Sequence, residues 1–240
     1  MASYQKFDLE SWGRREHFEV FKTYAQNAFS ITVEIEITGF LSWVKAKRCK
    51  FYPAMIHEVA AVLNRYPEFR MAMKDDELIV YDRLNPSYTI PHVQQESFSS
   101  IWSVYHEKKE DFLAEYERDL EKYGQDTRYF PRSDTPENVF YISAVPWVSF
   151  TSFSMQFSSL HNLFTPIVTL GKYFERGGKV YIPVAIQLHH AVCDGFHAGR
   201  FMTELQKRCH DYLSCSALSL KPCHSKISRA IELRRIVFRR

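Results

Sequence analysis

Residues 167–195 read IVTLGKYFERGGKVYIPVAIQLHHAVCDG. Two apolar, β-branched runs, Ile167 to Phe174 and Val180 to Leu188, are joined through Arg176-Gly177-Gly178-Lys179. A Gly-Gly pair supplies the positive φ angles that a tight hairpin turn demands, so two antiparallel strands are predicted here. The second strand runs straight into His189-His190-Ala-Val-Cys193-Asp194-Gly195. Beyond Gly195, residues Phe201, Met202, Leu205 and Cys209 recur at helical spacing, which predicts a helix over Phe196 to Leu213. A strand therefore delivers a cluster of polar side chains, and a helix leaves it.

Working outward, Phe18, Phe21 and Ala25 fall at helical spacing within residues 13–25, whereas Ile31, Val33, Ile35 and Ile37 alternate as in a strand. Tyr52-Pro53 opens a buried helix carrying Met55, Ile56, Val59, Ala60, Val62 and Leu63, which ends near Tyr66-Pro67. Phe69 to Met73 and Leu78 to Tyr81 flank the polar turn Lys74-Asp75-Asp76-Glu77 and predict a hairpin. Strands follow at Ser87 to Val93 and Phe98 to Val104, then an amphipathic helix over residues 107–123 with Phe112, Leu113, Tyr116, Leu120 and Tyr123. Val139 to Val145 and Val148 to Phe157 complete the predicted strands. Sequential strands outnumber helices, which favours an α+β fold: a mixed, largely antiparallel sheet with helices packed on it, in two layers.

The 240 residues suit one domain with one core, and 45% hydrophobic with 25% charged residues is ordinary globular composition. Residues 1–213 are expected to form that domain. Aromatic residues reach 15%, enough to fill a core, line an apolar pocket or build a subunit interface. Five cysteines without a C-x-x-C pair suggest neither a disulfide framework nor a zinc ribbon. With no apolar leader or membrane-length run, a soluble cytoplasmic protein without a membrane partner is expected. The net charge of +3 is too small to imply nucleic acid. It is unevenly placed, because seven Lys or Arg follow Lys221 inclusive against the single acid Glu232. Residues 214–240 are thus expected to be a basic, flexible extension of the domain.

Five reactive side chains, His189, His190, Cys193, Asp194 and His197, crowd into nine residues at a strand end. A neutral imidazole positioned there can take a proton from an alcohol and return it. His189 and His190 point to opposite faces of an extended strand, and periodicity does not say which faces a pocket. Each could equally be a satisfied structural histidine, and His, Cys and Asp are all metal ligands. No second cluster supplies the separated ligand pair usual in structural zinc sites, so no metal is expected.

The segment from His189 to His197 resembles the H-H-x-x-x-D-G signature of the chloramphenicol acetyltransferase family. So do Trp12-Gly-Arg14-Arg15-Glu16-His17-Phe18, Lys50-Phe51-Tyr52-Pro53, Phe69-Arg70 through Leu78, Ser143-Ala-Val-Pro146-Trp147 and Pro166-Ile-Val-Thr169-Leu-Gly-Lys172-Tyr173, in family order. The resemblance covers about residues 4–214. It implies the fold of the CoA-dependent acyltransferases and a homotrimer with active sites between subunits, each combining the His190 segment of one with an apolar pocket of its neighbour. It implies O-acetylation of the 3-hydroxyl of chloramphenicol, which confers antibiotic resistance, in a ternary complex with acetyl-CoA as co-substrate and no permanently bound cofactor. His190 would be the general base, Ser143 the oxyanion donor and Thr169 a contact through water. Asp194 would pair with Arg14 in a buried ion pair and not act as a triad acid. Phe21, Ala25, Asn27, Phe29, Phe98, Ser100, Phe130 and Phe153 match pocket positions, with Asn27 standing where a cysteine is common and Phe21 where some members have tyrosine. Trp147, Lys172, Tyr173 and Lys50 match positions that hold CoA.

Overall fold

A computed structural model of the chain describes residues 2–24, 27–156 and 164–215. Along the chain run β1 (Tyr4–Lys6), α1 (Arg15–Phe21), β2 (Ala28–Glu36), α2 (Thr38–Lys47), α3 (Phe51–Arg65), a 3-10 turn (Pro67–Arg70), β3 (Met71–Lys74), β4 (Glu77–Tyr81) and β5 (Asn85–His92). After a second 3-10 turn (Val93–Gln95) come β6 (Ser97–Trp102), α4 (Lys109–Tyr123), β7 (Val139–Ala144), β8 (Ile167–Leu170), β9 (Phe174–Arg176), β10 (Lys179–His189) and α5 (Gly195–Cys215). Two sheets form. β1, β4 and β3 make a small antiparallel sheet, and the large sheet is ordered β2-β10-β8-β7-β5-β6 with β9 on β10. Pairings β5–β7 and β7–β8 are parallel, so the large sheet is mixed. The fold is α+β, with helices packed on a mixed sheet, as predicted.

The predicted hairpin is present, with Gly177 and Gly178 at φ of 60° and 76° and Arg176 opposite Lys179. Its counterpart between β3 and β4 turns through Asp75 and Asp76, also at positive φ, which aspartate tolerates. The sheet's first face is covered by helices. Ile182, Val184, Ile186 and Leu188 of β10 join Phe40 and Val44 of α2, Ala54 to Leu63 of α3 and Ala198, Phe201, Leu205 and Cys209 of α5 in one apolar core. α3 is buried nearly all round, which is why its apolar residues exceed a single stripe.

Two sequence expectations fail, for identifiable reasons. Residues 38–47 form helix α2, where no element was predicted; its run of Phe40, Leu41, Trp43 and Val44 is too short for a period to stand out. The strand expected from Val148 to Phe157 is absent over residues 148–156, and Phe157 lies outside the described residues. Both edges of β10 are already occupied, by β2 and β8, so the segment has no edge to join. It crosses the sheet's second face instead, held by side chains that imitate a strand. Gln187 accepts from the Met155 N–H at 2.8 Å and donates to its carbonyl at 3.0 Å, while Ser30 donates to the Phe153 carbonyl at 2.6 Å. The helix predicted over residues 13–25 is shorter, ending at Phe21, and Ala25 lies outside the described residues.

Candidate active site

At the end of β10 the clustered side chains diverge. His189 turns inward against the Phe164 ring at 4.8 Å, and the Cys193 Sγ faces the Glu68 carbonyl at 3.7 Å. Burial pushes the Cys193 thiol far up, which makes it a poor nucleophile. His190 is half-buried, and its backbone N–H donates to the Asn27 carbonyl at 2.7 Å. Asn27 in turn donates its side-chain amide to the Phe21 carbonyl at 2.8 Å, so β2 and the end of α1 close around the imidazole together. The Phe21 ring stacks on His190 at 4.3 Å and 10°, and Phe29 lies at 5.2 Å.

The His190 Nδ1 stands 3.1 Å from the Cys193 carbonyl. A carbonyl only accepts, so Nδ1 carries the proton and Nε2 keeps a lone pair. That is the tautomer of a general base working through Nε2. Asp194 does not take part in this bond. Its carboxylate accepts from the Arg14 guanidinium, from the Phe196 N–H at 2.9 Å and from His197 Nδ1 at 2.8 Å. Burial tends to raise the Asp194 carboxyl, but the His197 hydrogen bond and the Arg14 charge outweigh it and hold the group below the ordinary aspartate value. Arg14 also reaches the His190 carbonyl at 3.5 Å. In the isolated chain this ion pair is largely rather than fully buried, the side chains being 16% and 30% exposed.

A second group of predicted residues assembles elsewhere. Ser143 of β7 stands opposite Thr169 of β8 in the parallel register, their hydroxyls 3.3 Å apart. Thr169 is buried, and the shallow hollow beside it is lined by Ser30, Phe153, Met155, Ala185 and Gln187. β8 parts from β10 where Gly171 meets Pro183; the proline has no N–H to continue the ladder, although its carbonyl still accepts from Gly171 at 2.8 Å. A Cβ on Gly171 would lie 3.1 Å from both Phe150 and Pro183, so a side chain there would force one of them to give way slightly. The chain then swings Lys172 and Tyr173 outward. Lys172 exchanges bonds with the segment after β7, its N–H donating to Val148 at 2.9 Å and its carbonyl accepting from the Ser149 hydroxyl at 2.7 Å. Tyr173 packs on Phe51 at 5.8 Å, which brings in exposed Lys50 at the start of α3, while Trp147 projects 67% exposed. Trp147, Lys172, Tyr173 and Lys50 thus share one end of the sheet: an exposed indole, a half-buried phenol and two ammonium groups, surfaces suited to a purine ring and to phosphates.

The two groups are far apart in a single chain. Thr169 pairs with Ala185, five residues before His190 on β10, which is about 17 Å along the strand. Because β8 and β10 are antiparallel, His190 lies at the opposite end of the sheet from Lys172 and Tyr173. The pocket residues divide too. Phe21, Asn27 and Phe29 surround His190 by edge strand β2, while Phe98 and Ser100 lie on β6 at the other edge. There Phe98 and Phe130 sandwich the Tyr129 ring at 5.6 and 4.3 Å, and the Ser100 hydroxyl meets Ser87 at 3.1 Å. Phe98 and Phe130 are about half exposed. Phe153 stands on Phe150 over the hollow beside Thr169. Sequence reasoning missed Glu68, which reaches His197 below the His190 loop, and Arg200, which pairs with Glu68. Nothing in the spacing of Pro67-Glu68-Phe69-Arg70 marks that glutamate. Gln187, which pins the segment over the sheet, was missed as well.

Comparison with known proteins identifies the family. The sequence profile of the chloramphenicol acetyltransferase family matches residues 2–206. A chloramphenicol acetyltransferase of Proteus mirabilis is 50% identical over 204 residues, covering 85% of this chain and 94% of that protein. Chloramphenicol acetyltransferase 3 of Escherichia coli is 42% identical over 211 residues, covering 88% and 99%. A solved chloramphenicol acetyltransferase superposes with a TM-score of 0.79 at 26% identity, covering 88% of this chain and all of that one. The dihydrolipoamide acetyltransferase of Azotobacter vinelandii, at 13% identity and a TM-score of 0.64, shares the fold over 83% of this chain and 87% of its own. The chain therefore belongs to the chloramphenicol acetyltransferase family.

Proposed function

We propose that this protein transfers the acetyl group of acetyl-CoA to the 3-hydroxyl of chloramphenicol, at sites between the subunits of a homotrimer, and so inactivates the antibiotic. The observation that carries the chemistry is the Nδ1 bond of His190 to its own loop, which leaves Nε2 as a fixed base beside apolar Phe21 and Phe29. Nε2 accepts the hydroxyl proton as the oxygen attacks the thioester carbonyl, both substrates being bound at once. The oxyanion that forms accepts from the Ser143 hydroxyl, a donor already in place. As the intermediate collapses, the C–S bond breaks, the proton returns from His190 to the departing thiolate, and CoA and the acetyl ester leave. Thr169 supports the intermediate through water. Arg14 and Asp194 hold the loop, and Trp147, Lys50, Lys172 and Tyr173 hold CoA.

The trimer is supported by separation: the row of Ser143 and Thr169 lies about 17 Å along β10 from His190, so the base meets the donor of another copy. No helix among the described residues is long and apolar enough to cross a membrane, in keeping with a cytoplasmic enzyme that draws on the acetyl-CoA there. Residues 214–240 are not needed for the reaction on this proposal. The test is thiol release from acetyl-CoA with chloramphenicol, beside His190→Ala. Release that the substitution abolishes is the expected result. Release only with a different alcohol would make this an acetyltransferase of the same fold for another acceptor, and no release with any acceptor would leave a trimeric ligand-binding protein.

A further inference from the structure

We infer that His197, seated between Asp194 and Glu68, is a positioning residue for the base, an assignment that rests on His190 being that base. Its imidazole is buried, with 5% of the residue exposed. Nδ1 lies 2.8 Å from Asp194 Oδ1, and Nε2 lies 3.6 Å from Glu68 Oε1. Glu68 stands on the 3-10 turn after α3, over 120 residues earlier, and its carboxylate also takes Arg200 at 3.2 Å. The turn holds the loop in a second way, because the Glu68 carbonyl accepts the Cys193 thiol at 3.7 Å.

Cys193 supplies the carbonyl that fixes His190 Nδ1, and Asp194 supplies the carboxylate that fixes Arg14, which reaches the His190 carbonyl. Both residues that set the base are therefore tied to one turn. Glu68 holds the first through its backbone, and its carboxylate stands 3.6 Å from the imidazole that contacts the second. The charged groups contacting the imidazole are Asp194 from the loop and Glu68 from the turn, with Arg200 of α5 beyond Glu68 and Arg14 beyond Asp194. The Asp194 N–H also lies 3.1 Å from His197 Nδ1; a carboxylate can only accept, so the shorter contact to Asp194 Oδ1 is made in the form that carries a proton on Nδ1. Losing that donor lets Asp194 and the Cys193 carbonyl shift, and the His190 proton is then free to move from Nδ1 to Nε2, where it blocks the base.

Two substitutions separate positioning from bulk. Asparagine places an amide N–H near the position of Nδ1, and glutamine near that of Nε2. His197→Asn is expected to keep kcat within about threefold of wild type, whereas His197→Gln loses about tenfold. KM for both substrates should stay within about twofold, since His197 touches neither pocket nor CoA end. Nitrogen-15 spectra of histidine-labelled protein, with His190 assigned through His190→Ala, should show the Nδ1–H tautomer of His190 in wild type and His197→Asn and a mixture in His197→Gln. Equal kcat and an unchanged His190 tautomer in His197→Gln, whatever its melting temperature, would overturn the assignment, as would equal losses in both variants. The tautomer is read without turnover, so a wild type inactive on chloramphenicol would refute the proposed reaction and still leave this inference decided by the spectra.

Discussion

Two chains, each inactive alone, should make an active enzyme when mixed. His190→Ala removes the proposed base, and Ser143→Ala removes the proposed oxyanion donor, a loss of about a hundredfold or more in comparable sites. In the structure the row holding Ser143 and Thr169 meets β10 at Ala185, about 17 Å along that strand from His190. Each site must then take His190 from one copy and Ser143 from the next. In randomly assembled trimers of the two variants in equal amounts, the copy giving the base is intact at half the sites, as is the copy giving the donor. About a quarter of wild-type turnover per site should return. Thiol release with chloramphenicol on the whole co-expressed population measures this directly, and in mixed trimers purified through distinct tags, where one site in three is sound, the figure rises to about a third. Mixed trimers no more active than the average of the two parents would show that each chain completes its own site and would refute the geometry drawn from the register.

Asp194→Asn should cost stability as well as turnover. Losing a largely buried charge pair is worth about 2 kcal/mol, or roughly 4–8 °C in melting temperature for a chain of this size; lost turnover with unchanged melting would restore a triad role for Asp194. Acid sensitivity should involve Glu68. Burial raises its carboxyl, but His197 and Arg200 outweigh that and hold it down to about 2 from an ordinary 4.5. Its stabilisation is therefore complete above pH 4.5 and lost as pH falls towards 2, with depressed Asp194 acting in the same direction. Denaturant midpoints followed over that interval should fall less steeply for Glu68→Gln, and parallel curves would disprove the linkage. Truncation after Cys215 should leave trimer mass and activity intact, since the family profile ends at residue 206; loss of either assigns the basic extension a role.

Legibility in the sequence followed how local each cause was. Gly177-Gly178 specified its turn through backbone freedom, and α5 declared itself by a stripe that one apolar face requires. The segment over residues 148–156 misled because its alternation is genuine, yet its partner strand was already paired on both sides. Which edges are free is a property of the whole sheet. Likewise the motif placed His190 and Asp194 beside each other in the chain, but the bond of Nδ1 to the Cys193 carbonyl, and the attachment of Asp194 to Arg14 and His197, depend on how the loop closes. Glu68 was invisible because its partners lie over 120 residues away. The family resemblance supplied the roles of Ser143 and Thr169, and the register then showed how far each stands from the base.

The distance between base and donor also has a genetic side. If every site draws on two chains, a chain carrying both His190→Ala and Ser143→Ala poisons its neighbours on either side. Sites with both halves sound decline as the square of the sound fraction, so equal expression of crippled and wild-type copies leaves about a quarter of the sites and not a half. A resistance determinant built this way is open to dominant interference by its own defective alleles.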